Sequence, residues 1–230
     1  MLLCSDQLSK LNSVTNFSPA SIIEFQHELE HEFSQAPCDL IQKEIESRLC
    51  MNARKYGTGG LLMGVLGYYN PSRIFDKVYA NVKRGRVLNR KPLSPTYVYD
   101  FDPAGKLTRV ISNSLQTTTY IVYADSSEVC FSISSIFKDV THVIIRLNDD
   151  SGQTSKWLEF CWHDCMKIAS TVYAELYHDT DNGHTCTTIR SVSDENEVFR
   201  VLSYNEYSFE VGKNGKVRSL TQIKYSSEHL

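Results

Sequence analysis

Val143-Ile144-Ile145-Arg146-Leu147, Asn148-Asp149-Asp150-Ser151-Gly152 and Leu158-Glu159-Phe160-Cys161-Trp162 decide the fold class of this chain. In the first string Val143, Ile145 and Leu147 fall on one side, with Ile144 and Arg146 on the other. In the third, Leu158, Phe160 and Trp162 oppose Glu159 and Cys161. Period two of this kind is the signature of a strand with one core face. The polar string between them, ending in glycine, is a hairpin turn. The same grammar extends outward on both sides. Val129, Phe131 and Ile133 alternate before it, Val172, Ala174 and Leu176 after it, and further turn clusters stand at Asp179-Thr180-Asp181-Asn182-Gly183 and Gly212-Lys213-Asn214-Gly215. About ten strands are expected between Thr96 and Tyr225, joined as an antiparallel meander because no helical stretch is long enough for a parallel crossover.

Upstream of Pro95 the period changes to that of a helix. Ser18 and Pro19 suit a helix start, and Ile22, Phe25, Leu29 and Phe33 follow at helical spacing. A second helix is expected from Cys38 to Tyr56 on Ile41, Ile45 and Leu49, with Arg54 and Lys55 near its C-terminus and Gly57 as its stop. A third is expected from Pro71 to Arg84 on Ile74, Val78 and Val82. The expected fold class is therefore α+β: two to three N-terminal helices, then a large antiparallel β-meander. Residues 1–95 form the helical region, with a Gly-rich and basic segment, and residues 96–230 the meander, together one cooperative domain.

The chain has 230 residues and a formal charge of −3. That charge is segregated: residues 1–60 carry −3, residues 61–95 carry +6 and residues 96–230 carry −6. An acidic sheet favours a partner of basic character. The basic run Lys77, Lys83, Arg84, Arg86, Arg90 and Lys91 lacks interleaved aromatics, so it reads as a solvated face rather than a nucleic-acid site. No stretch approaches the ~20 apolar residues of a membrane span, and the N-terminus lacks the basic and apolar regions of a signal peptide. Seven cysteines, an odd number, then read as reduced thiols in a cytoplasmic protein.

Two constellations could carry metal chemistry. His27-Glu28-Leu29-Glu30-His31 matches H-E-x-x-H, which resembles the zinc metalloprotease signature. On a helix it sets His27 and His31 one turn apart as ligands, with Glu28 as base. Cys161, His163 and Cys165 share a strand parity that could bind zinc. Neither is a complete set, so the primary expectation is no catalytic residue, no metal and no cofactor, with a zinc-dependent hydrolase as the alternative.

Parity also proposes a binding face. Trp157, Glu159 and His163 on one strand, and Tyr173, Glu175 and Tyr177 on the next, fall opposite the core residues. Aromatic anchors beside carboxylates have the composition of an interface centre. The competing expectation is that a loop or helix covers this face and makes Trp157 ordinary core.

Tyr97-Val98-Tyr99-Asp100-Phe101-Asp102-Pro103-Ala104-Gly105-Lys106-Leu107-Thr108-Arg109-Val110 resembles a YD-type hairpin element of bacterial toxin-delivery shells, and Tyr207 to Val217 is a poorer echo. The layout of helical head, acidic meander and cytoplasmic composition resembles the immunity proteins encoded beside polymorphic toxins. That resemblance implies a non-enzymatic protein-binding module, a cytoplasmic immunity protein that neutralises a cognate toxin.

Overall fold

In the computed structural model the described residues form one antiparallel sheet of twelve strands in the order β12-β11-β10-β9-β8-β7-β6-β5-β4-β3-β1-β2. The structure describes residues 22, 42–43, 45–47, 49–78, 83–124, 127–162, 170–180, 183–193, 199–213 and 215–227. The strands are β1 (Ala53–Thr58), β2 (Arg86–Leu88), β3 (Tyr97–Phe101), β4 (Leu107–Ser112), β5 (Thr117–Ala124), β6 (Ser127–Ser134), β7 (Val140–Asn148), β8 (Thr154–Trp162), β9 (Ser170–Thr180), β10 (Gly183–Ser193), β11 (Phe199–Val211) and β12 (Val217–Ser227). From β3 onward every strand pairs with the next in sequence, so the antiparallel meander is present. Among the described residues no helix is long and apolar enough to cross a membrane.

The α+β expectation is corrected: the described residues are nearly all β, with only short helical stretches. The second expected helix, Cys38 to Tyr56, is helical at residues 42–43 and 45–47 and then gives way to β1. Arg54 is not a helix-terminal cation. It stands opposite Asp100 in the β1–β3 register and binds its carboxylate at 2.6 Å. Of the third expected helix, Pro71 to Arg84, the described residues are helical at α1 (Phe75–Val78), and residues 71–74 and 83–84 are not helical. Of the first helix only Ile22 is described; it is helical and buried. The division at residue 95 does not follow the sheet, because β1 and β2 extend it through pairing with β3.

Both sheet faces are packed. On one, Val143, Ile145, Leu158, Phe160, Val172 and Ala174 form the main core with Ile22 and Ile45. The other is crossed by a strap of chain from Gly60 to α1. Its first part, Leu61–Tyr69, is a 3-10 segment interrupted at Gly64 and Gly67. Val65 and Leu66 pack there with Tyr97, Tyr99, Ile144 and Trp157, and Ile74 with Tyr177, Cys186 and Phe209.

The two ends of the sheet differ. At one, the turns Asp102–Lys106, Asp149–Gln153 and Gly212–Lys216 share one bonding pattern. The first residue's N–H donates to the fifth's carbonyl, and the fourth residue, a glycine, donates back to the first. Those glycines have φ of 80°, 78° and 73°, the left-handed position of a short hairpin loop. The other end carries the segments 113–116 and 135–139, and the connection 89–96 from β2 returns to it at Pro95 and Thr96.

Candidate functional site

Trp157, Glu159, Tyr173, Glu175 and Tyr177 do come together. β8 and β9 set Trp157 opposite Glu175 and Glu159 opposite Tyr173 on one face. That face is covered by the strap rather than open: Trp157 is 1% exposed and Glu175 0%. Trp157 stacks edge-on with Tyr173 at 5.3 Å, and its indole Nε1 is buried with no acceptor. His163 and Cys165 lie outside the described residues, as do His27, Glu28 and His31. Cys161 is half-buried on the same face, and burial pushes its thiol up to about 12. His184 pairs with Asp179 at 2.8 Å and stacks on Phe209. Among the described residues no three His, Cys, Asp or Glu side chains group to hold a metal ion.

Glu175 anchors the strap. Ser72 Oγ donates to its Oε1 at 2.7 Å, Tyr173 Oη donates to the same oxygen at 2.8 Å, and Tyr177 Oη donates to Oε2. Each donor has a second task. Ser72 Oγ accepts the Phe75 N–H at the start of α1, and Tyr177 Oη accepts the Arg73 N–H at 2.8 Å. The Arg73 guanidinium lies over the Tyr177 and Phe209 rings and pairs with Asp179. Arg84 donates to the carbonyls of Asn70 and Ser72 at 2.5 and 2.7 Å, clamping the strap just before α1. Burial raises the Glu175 carboxyl, and its hydroxyl partners only partly offset this. Beside it, Glu159 lies under Gly64 and is pushed to about 7 by burial and then by the charge of Glu175. A carboxylate engaged by three hydroxyls beneath packed chain is suited to holding structure.

A pocket of about 100 Å³ opens beside the strap between Leu66, Tyr69 and Pro71 and the sheet residues Ile121, Cys130 and Ile144. Its polar wall is Tyr123 with the Glu128–Arg146 ion pair at 2.9 Å. Burial pushes the Cys130 thiol far up, so it is no nucleophile there.

The residues that sequence reasoning missed stand on the loops at the other end of the sheet. Leu93 is 102% exposed, Leu115 44%, Ile136 59% and Phe137 52%. Three loops are stitched side by side. Asn113 N donates to Thr96 O at 3.0 Å and Asn113 Nδ2 to Pro95 O at 2.8 Å, while Ser135 N donates to Gln116 O at 2.8 Å. Gln116 and Lys138, at φ of 53° and 57°, hold left-handed backbone without being glycine. Such positions cost on the order of 1 kcal/mol and persist where surroundings over-determine them. The signal was present in Ser134-Ser135-Ile136-Phe137-Lys138-Asp139, where an aliphatic and an aromatic residue occupy a turn that polar residues would fill.

No family model matches this chain, and no curated protein or solved structure matches it.

Proposed function

We propose that this chain is a non-enzymatic protein-binding module, and that its most specific role is that of a cytoplasmic bacterial immunity protein which binds and neutralises a cognate toxin. One observation carries the binding reading: Leu93, Leu115, Ile136 and Phe137 project from stitched loops at one end of a rigid sheet. Contiguous apolar side chains in water are unfavourable and mark surfaces that a partner covers. Loops held by a rigid scaffold are also where binding residues concentrate. The immunity role rests on the resemblance of layout and of the Tyr97–Val110 hairpin.

The test is co-purification of the tagged chain with the protein encoded next to its gene, together with a growth assay of that neighbour expressed with and without it. A stable complex and restored growth are expected. A toxic neighbour that neither binds nor is neutralised overturns the immunity role.

A further inference from the structure

The charges around the loop end indicate the chemistry of its partner. The register runs Leu88–Tyr56–Val98–Ile111 across β2, β1, β3 and β4, so these four share one face. All four keep exposed surface, and they lie on the strand ends next to the loops bearing Leu93 and Leu115. Partly exposed apolar side chains thus stand on the strands as well as on the loop tips. Its rim is cationic: Arg86 on β2, Arg90 and Lys91 before Leu93, and Lys138 after Phe137, all exposed. In residues 83–96, 113–116 and 135–139 the one carboxylate is Asp139, and its Oδ1 accepts the Val140 N–H at 2.8 Å.

Three carboxylates of the sheet are occupied elsewhere. Asp100 is buried between Arg54 and Arg109, Glu128 is paired with Arg146, and Asp179 is paired with Arg73. These three carboxylates are therefore engaged in ion pairs away from the exposed cations of the loops.

We propose that the loop end docks an acidic protein segment carrying apolar side chains, with Leu93, Leu115, Ile136 and Phe137 receiving the apolar groups and Arg86, Arg90, Lys91 and Lys138 pairing the carboxylates. This rests on the reading of the loop end as the partner-binding surface and adds the sign of the partner's charge at this end, opposite to the basic partner expected from the net charge of residues 96–230. Opposite charge around an apolar centre sets encounter rate and orientation, while the centre supplies the affinity.

The probe is a fluorescently labelled random copolymer of glutamate and tyrosine, titrated with the full chain at about 50 mM and about 300 mM NaCl. Saturable binding is expected, weaker by roughly tenfold at the higher salt. Arg90→Glu/Lys91→Glu should weaken it about tenfold at low salt and flatten the salt dependence, while Ile136→Ser/Phe137→Ser should weaken it at both salts. Circular dichroism of each variant confirms that it is folded. Loss of binding in the tip variant with no effect of charge reversal keeps the surface and overturns the acidic partner. Copolymer binding that neither variant alters overturns both, as does no binding at all together with a neighbour complex indifferent to the tips. Tighter binding, through the same residues, of a short DNA duplex or of vesicles of phosphatidylglycerol and phosphatidylcholine in equal parts reassigns the partner and overturns the proposal.

Discussion

Glu175 is fully buried and accepts hydrogen bonds from three hydroxyls, while among the described residues no such set of hydroxyls engages the neighbouring Glu159. Two carboxyls placed this closely in a packed face resist ionising together. Glu159 is raised from about 4.5 to about 7, first by burial and then by the charge of Glu175. The sign follows from proton uptake. Between these values the folded chain keeps a proton that the unfolded chain has lost, so stability falls as pH rises and the loss is complete above pH 7. The effect is on the order of 3 kcal/mol. Glu159→Gln, neutral at all pH, should match the parent near pH 4.5 and exceed it in urea-unfolding free energy by that order at pH 8. Equal pH slopes in the two proteins would show that Glu159 ionises freely in the fold.

At the scale of elements, the strap is the decisive piece, and its glycines show why. A Cβ on Gly67, at φ of 54°, would lie 2.7 Å from Tyr99 Oη and 2.9 Å from the Tyr97 ring. It would also displace the Tyr68 N–H from Tyr99 Oη, now at 3.0 Å. Gly67→Ala should cost about 2–4 kcal/mol, because overpacking adds to backbone strain. Gly105→Ala, at φ of 80° with nothing near, should cost only about 1 kcal/mol. Similar losses for both, in denaturant unfolding, would mean that the strap is not held against the tyrosines. This element was the least legible in the sequence. The strands after Pro95 follow from local alternation and turn chemistry, which each segment carries within itself. Residues 53–58 and 70–73 do not: Ala53–Thr58 is a strand because Asp100 and β3 receive it, and Asn70–Arg73 is held in place by Glu175, Tyr177 and the Arg84 clamp. Contacts made across a hundred positions leave no local period. For the same reason parity correctly grouped Trp157, Glu159, Tyr173, Glu175 and Tyr177 on one face, but could not reveal that a strap from residues 60–78 covers it.

At the scale of the molecule, the sheet presents two edges and two ends. β2 is only three residues long. β12 is longer, but against β11 it has an extra residue at Arg218 and another at Ile223, and it also carries Lys224. Short strands, bulges and edge cations all discourage pairing with a further strand. The end made of the three repeated glycine turns is polar and tight. The apolar loop end is thereby the surface best suited to a partner, and nothing in strand alternation announced it, since loop tips obey no period. The most direct test of this account is the affinity of the neighbour-encoded protein for Ile136→Asp/Phe137→Asp, measured by calorimetry beside the variant's unfolding free energy. The account predicts stability within about 0.5 kcal/mol of the parent, because both side chains already face solvent, and affinity lower by at least about 2 kcal/mol. Unchanged affinity for that neighbour in a folded variant would contradict it.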